Sequence, residues 1–200
     1  GGDKHAETAF WNQFESADTI GSLIQPDPEL TARLKQHVAQ LNDGGDILVA
    51  DVLDWAERVI EQADYLSPKY SVVVANPPYM GAGNMGSVLA TFAREYYPAS
   101  RTDLFAMFIE RCMRLAGQSG QVAMITMQSW MFLASFEKLR ERILRYAPPV
   151  TMAHLGERAF DSIGGAVVST TAFVLQVGRS LGRTGSYVRL VDGRSELEKS

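Results

Sequence analysis

Tyr70-Ser71-Val72-Val73-Val74-Ala75-Asn76-Pro77-Pro78-Tyr79 is the stretch on which the fold turns. Its first six residues are uncharged and rich in β-branched side chains, and they stop at a breaker. That pattern suits a strand buried on both faces of a parallel sheet. The next four residues then lie at the strand's carboxyl end, the edge at which open α/β sheets bind ligands. Pro77 and Pro78 supply no N–H and hold φ near about −65°, so the turn is stiff and its carbonyl directions are preset. Asn76 offers a side-chain carbonyl oxygen, and the backbone carbonyl of Pro77 is a second acceptor outside the strand ladder. Tyr79 adds a flat π surface, on which a stacked base gains about 1–3 kcal/mol. Two acceptors aimed at the N–H groups of an exocyclic amino nitrogen would localise a lone pair otherwise delocalised into its ring. The pattern points to chemistry on a nucleobase amino group. Asn-Pro-Pro is also an ordinary turn after a strand, and the tetrapeptide alone leaves that reading open.

On the amino-terminal side, Phe10 to Phe14 and Ile20 to Ile24 are apolar islands, and Pro26-Asp27-Pro28 leads into a helical pattern from Glu29 to Leu41. Asp43-Gly44-Gly45 reads as a turn, and Asp46-Ile47-Leu48-Val49-Ala50-Asp51 reads as a strand ending in an acid. On the carboxyl side, Met80 to Gly86 is glycine-rich and is expected to form a lid. Its Gly81-x-Gly83-x-x-Gly86 spacing imitates a dinucleotide fingerprint without the strand and acidic residue that motif needs. Leu104, Phe105, Phe108, Ile109, Cys112 and Leu115 repeat at helical spacing, with Thr102 or Asp103 as cap and Gly117 as stop. Strands are expected near 121–126, 150–155 and 170–177, the last antiparallel, with an amphipathic helix over Phe136 to Tyr146 closed by Pro148-Pro149. Gln128, Ser129, Trp130 and Phe132 fall at the same carboxyl edge as Asn76. Trp130 either lines a base pocket there or packs under the sheet. Phe160, in the loop Phe160 to Gly165, is placed opposite Tyr79 as a second wall for the base.

These residues resemble the N6-adenine-specific DNA methyltransferases, whose motif is Asn/Asp-Pro-Pro-Tyr/Phe at a strand end. Four blocks in order are similar to the large PglX-type adenine methyltransferases of bacterial BREX phage-defence systems. They are Lys69 to Gly81, Ser100 to Arg111, Met127 to Phe132 and Ala153 to Gly165. The resemblance implies an α/β fold: a partial Rossmann-like sheet of the S-adenosylmethionine-dependent methyltransferases, with flanking helices. It implies that Asn76, Pro77, Pro78 and Tyr79 form the catalytic turn around a flipped adenine, with S-adenosylmethionine as methyl donor. It also matches Asp51 to the strand-end acid that takes the amino group of the cofactor's adenine, with Leu53 or Trp55 as apolar wall. Asp51 or Asp54 would equally serve as a helix cap. The family's Asp-Pro-x-x-Gly-x-Gly element is not found in the chain. The expectation is therefore a segment of a larger enzyme: a lead-in over 1–45, the catalytic core over 46–178 without the glycine-rich cofactor motif, and the start of a further segment over 179–200. Such a segment would carry the substrate half of the pocket and bind the cofactor weakly or not at all.

Two hundred residues with 46% hydrophobic and 21% charged residues suffice for a globular core. A net charge of −4 and a pI near 5.4 are the wrong sign for gripping DNA through overall charge. Local patches remain: Lys138 to Arg145, where Glu141 intersperses the cations as on an ordinary solvated face, and the series Arg179, Arg183, Arg189, Arg194. Cys112 is the single cysteine, so no intrachain disulfide or thiolate zinc cluster forms, and no metal site is expected from the scattered His5, His37 and His154. His154 is read as a core or edge residue, with a pocket role as the alternative. No signal-peptide pattern or membrane span is read, and a reducing cytoplasm is expected. Double-stranded DNA is the expected partner, with other phage-defence proteins beside it. The competing readings are a non-catalytic methyltransferase-like scaffold and a protein-glutamine N-methyltransferase, whose amide nitrogen poses the same lone-pair problem.

Overall fold

The computed structural model describes residues 4–41, 44–157, 168–178 and 184–192. The chain splits into two compact units, Gly1–Pro68 and Lys69–Ser200. The described part of the first unit is helical: α1 (Lys4–Asn12), α2 (Ala17–Ile20), α3 (Pro28–Val38) and α4 (Ile47–Leu66). The apolar islands supply its buried residues, with Phe10, Phe14, Leu23 and Ile24 all removed from solvent. The Phe10 and Phe14 rings stand 5.5 Å apart. α3 starts because Asp27 accepts the N–H of Leu30 at 2.8 Å and Pro28 takes the first turn, where no donor is needed. It packs along α4, where Lys35 meets Asp64 at 2.5 Å and the Thr31 and Ser67 hydroxyls lie 3.2 Å apart.

The expected strand over 46–51 is the first turns of α4. Asp46 does not open a strand; it caps the helix, accepting the N–H of Leu48 at 2.9 Å. A short apolar run fits either state, and the residues carboxyl-terminal to it decide. Ala56, Val59, Ile60 and Ala63 are buried at helical spacing, and good helix formers fill the gaps.

The second unit is a five-stranded mixed sheet in the order β1-β2-β4-β3-β5. The strands are β1 (Tyr70–Ala75), β2 (Ala116–Met127), β3 (Pro149–Gly156), β4 (Thr170–Gln176) and β5 (Ser186–Arg189). β1 runs parallel to β2, β4 runs antiparallel to both β2 and β3, and β5 is parallel to β3. The antiparallel strand is thus the one expected near 170–177. β1 and β2 are joined through α5 (Ser87–Tyr96) and α6 (Leu104–Leu115), and α7 (Glu137–Tyr146) leads into β3.

The core lies on one face of this sheet. Phe105, Ile109 and Cys112 of α6 and Leu139 and Ile143 of α7 pack with Val122 and Met124 of β2 and Phe173 and Leu175 of β4. Val73 and Ala75 of β1 pack against that cluster. Burial of β1 on both faces is not what the structure has: Val72 is 57% and Val74 75% exposed. Among the described residues β1 is the edge strand and pairs with β2 alone, so only its inward residues are covered. Where β2 begins, the chain kinks: Ser119 adopts φ 63°, and a Cβ on Gly120 would stand 2.9 Å from the carbonyl oxygens of both Gly117 and Tyr70. Only glycine fits that crossing of backbones.

α6 is held by charge as well as by its apolar face. Glu110 is 4% exposed, accepts the Ser100 hydroxyl at 2.6 Å and pairs with Arg142 of α7 at 2.5 Å and Arg114 at 3.4 Å. Of the cations in the Lys138 to Arg145 patch, Arg142 is engaged in this way, and Arg140 donates to the carbonyls of Trp130 at 2.8 Å and Leu133 at 2.6 Å. Much of that patch therefore braces the fold. Of the second basic series, only Arg189 is among the described residues, 2.9 Å from Asp192. Among the described residues, no helix is long and apolar enough to cross a membrane.

Candidate functional site

β1, β2 and β3 point the same way, so their carboxyl ends share one edge of the sheet. Asn76-Pro77-Pro78-Tyr79 leaves β1 at that edge. Asn76 is exposed, Pro77 is buried, Pro78 is exposed and Tyr79 is half-buried. The Tyr79 ring stands edge-on to Phe105 of α6, centroids 6.1 Å apart at 85°, and Phe105 is itself wholly buried against Phe136. Burial pushes the Tyr79 hydroxyl above its ordinary pKa, so the ring presents a neutral phenol.

The exit from the turn is tied to the start of α6. Met80 accepts the N–H of Leu104 at 3.0 Å, Ala82 donates to the Thr102 carbonyl at 2.9 Å, and Gly81 bridges to Asp103. The Asp103 carboxylate accepts the N–H of Met80 at 3.1 Å and that of Phe105 at 3.3 Å through the same oxygen. The glycine-rich stretch, expected as a lid, is anchored at its first three residues, Met80 to Ala82, and continues as a 3-10 turn over Ala82–Asn84. Sequence reasoning identifies Asp103 only as a helix cap. Its second bond joins residues 23 apart, for which no local pattern exists.

At the end of β2 the chain turns through Gln128–Met131, pinned where Gln128 donates its N–H to the Ser169 carbonyl at 2.9 Å. Trp130 takes the second of its two expected places: it is 4% exposed and packs edge-on against Phe173 at 5.1 Å. Phe132 stays 63% exposed, its ring 5.9 Å from His154 of β3. The His154 ring nitrogen Nε2 pairs with Gln128 Oε1. Desolvation and then the charge of Arg189 hold His154 below the usual histidine range. Phe160 lies outside the described residues.

The cofactor half does not form in the same way. Asp51 sits exposed within α4, not at the end of a strand, and Leu53 is half-buried two residues on. Side chains two apart on a helix do not face one another, so Asp51 and Leu53 do not make the acid-plus-wall arrangement expected of them. Among the described residues, Asp51 and Leu53 therefore do not form the S-adenosylmethionine contact expected of them. No group of three or more His, Cys, Asp or Glu suited to a metal occurs among the described residues. Cys112, buried on α6, has its thiol pushed up to about 11 by desolvation.

What the arrangement offers is an acceptor-rich, stiffened turn beside a braced aromatic ring. Comparison with known proteins gives the same motif a family. The chain is 54% identical over 193 residues to the adenine-specific methyltransferase PglX of Lacticaseibacillus casei (strain Zhang), covering 94% of this chain and 16% of that protein. It is 43% identical over 190 residues to the adenine-specific methyltransferase BrxX of Escherichia coli O9:H4 (strain HS), again covering 94% of this chain and 16% of the relative. The chain thus spans about one sixth of the length of these curated relatives. A nuclease-deletion mutant of the Type ISP restriction-modification enzyme LlaGI, solved with a DNA substrate mimic, shares the fold with TM-score 0.53 and 16% identity, over 74% of this chain and 17% of the other. The model of the Eco57I restriction-modification methylases matches residues 17–160, and the chain belongs to that family.

Proposed function

We propose that the chain is the acceptor-side segment of a site-specific DNA adenine-N6 methyltransferase that acts in phage defence. The observation that carries this reading is Asn76 to Tyr79 at the carboxyl end of β1, with Asn76 exposed and Tyr79 braced by Phe105. The Asn76 side-chain oxygen and the Pro77 carbonyl accept the two N–H groups of a flipped adenine, so that the nitrogen's lone pair is held out of the ring. Tyr79 stacks on the base and fixes its plane. The lowering of the barrier comes from position and from these two acceptors, without a covalent intermediate. S-adenosylmethionine is the methyl donor in this reading, held by parts of the protein beyond these residues. Duplex DNA is the substrate, other defence proteins are the further partners, and a bacterial cytoplasm is the compartment. The names of the two relatives, each an adenine-specific methyltransferase, support the substrate.

The test is long-read sequencing of DNA from cells expressing the whole protein with its neighbouring genes, against an Asn76→Ala version. N6-methyladenine at one defined motif, absent from the variant, is the expected result. An unchanged methylation pattern would remove the reading.

A further inference from the structure

We infer that Asp103 is the positioning residue of the acceptor turn, holding Tyr79 from both sides through a single carboxylate oxygen. The inference rests on the methyl-transfer reading above and names a residue outside the Asn-Pro-Pro-Tyr turn on which that chemistry depends.

A helix cap needs one bond, from the side chain to an N–H in the first turn. Asp103 makes that bond, to Phe105 at 3.3 Å, and the same Oδ1 also takes the N–H of Met80 at 3.1 Å. Met80 is the residue directly after Tyr79, and Phe105 carries the ring against which Tyr79 stands edge-on at 6.1 Å. One atom therefore fixes the backbone leaving Tyr79 and the wall that the Tyr79 ring leans on. The backbone bonds from Leu104 to Met80 and from Ala82 to Thr102 flank it, so Asp103 is the centre of a short antiparallel clasp.

The clasp is made at a cost. Burial raises the Asp103 pKa, against which the N–H groups of Met80, Phe105 and Leu104 work to keep it ionised. A helix cap at a solvent-exposed end would avoid that desolvation. The turn gains a fixed exit direction, and in-line transfer to a flipped base is sensitive to such geometry: a misplacement of about 1 Å costs on the order of 100-fold in rate.

Two substitutions separate positioning from capping. Asp103→Ser keeps a good cap for α6 but shortens the side chain by one bond, withdrawing the acceptor from Met80. Asp103→Asn keeps an oxygen at the same reach. In the whole protein, with target duplex and radiolabelled S-adenosylmethionine, Asp103→Ser is expected to lower kcat by about 10- to 100-fold. Its KM for the cofactor and its thermal midpoint should stay at the wild-type values, and Asp103→Asn should keep kcat within about threefold. Wild-type kcat in Asp103→Ser would overturn the proposal, as would an equal loss in both variants or a lowered midpoint that accounts for the loss. Asn76→Ala run alongside tells the two readings apart. If it is inactive while Asp103→Ser is unaffected, only the positioning role fails; if it is fully active, the methyl-transfer reading falls and this one with it.

Discussion

Pro77 and Pro78 are neighbours with opposite surroundings, one buried and one exposed, and Asn76 and Tyr79 are placed by that difference. Pro77 anchors the turn in the unit while Asn76 is left facing solvent at the strand end. Tyr79 is only partly covered, so its ring can still meet a base. Under the proposed function, Tyr79→Phe keeps the ring and its contact with Phe105, and should leave methyl transfer within about threefold of wild type. Tyr79→Ala removes a stacking surface of about 1–3 kcal/mol, which corresponds to roughly 5- to 150-fold in kcat/KM. Steady-state methylation of a target duplex by the whole protein checks both; an alanine variant within a factor of about two of wild type would remove Tyr79 from the pocket. These residues are legible in the sequence because their chemistry is local: four consecutive side chains after an apolar run carry the information. Asp103 is legible only in part, because its helix-capping bond is local and its bond to Met80 is not.

The elements show where periodicity decides and where it does not. The sequence places β1 at its true bounds, Tyr70–Ala75, yet its composition suggests burial on both faces while Val72 and Val74 are exposed. A run of valines reports that a segment is extended; it does not report which neighbours cover it. Asp46 to Asp51 misleads for a related reason, since a short β-branched run followed by an acid looks like a strand until the helical spacing of Ala56, Val59, Ile60 and Ala63 is weighed with it. The joint between β2 and β3 has no signature in the sequence at all. There Gln128 at the end of one strand meets His154 on the other, residues 26 apart in sequence. His154 carries a pH prediction. Its pKa in the fold lies below the ordinary 6.5, from desolvation first and Arg189 second. As pH falls below 6.5, the unfolded chain takes up a proton that the folded imidazole refuses, so the unfolded state binds more protons and stability falls with pH. The contribution is complete above that pH and is lost below it. Thermal midpoints measured from neutral to mildly acid pH should therefore show wild type losing ground to His154→Asn as pH falls, and a constant gap between the two would refute the assignment.

At the scale of the whole molecule, the residues read as an acceptor turn and those read as cofactor contacts fall in different units. The second unit has the sheet edge, the turn and its clasp, in a strand order with one antiparallel member that agrees with the Rossmann-like expectation. The residues singled out for the cofactor, Asp51 and Leu53, belong to the first unit and to a helix. What the structure corrects is the strand beneath that reading: Asp46 is a cap, and Asp51 lies within a helix and not at a strand end. The glycine-rich element that would cradle a methionine group is missing from the sequence, and the glycines at positive φ among the described residues, Gly21, Gly44, Gly45, Gly156 and Gly178, do not follow a strand with an Asp-Pro lead-in. A net charge of −4 likewise gives these 200 residues little general hold on a polyanion. The missing glycine-rich element and the helical placement of Asp51 lead to one expectation about the isolated chain. Among the described residues neither a glycine-rich cradle for the methionine part nor a strand-end carboxylate for the adenine amino group is found, and pockets bind by combining apolar walls with such polar anchors. Isothermal titration of the 200-residue chain with S-adenosylmethionine should give no heat of binding at ligand concentrations of about 100 μM, corresponding to a Kd weaker than roughly 10⁻⁴ M. A saturable isotherm in the micromolar range would mean that these residues hold the donor themselves, and that the site for it lies somewhere other than Asp51 and Leu53.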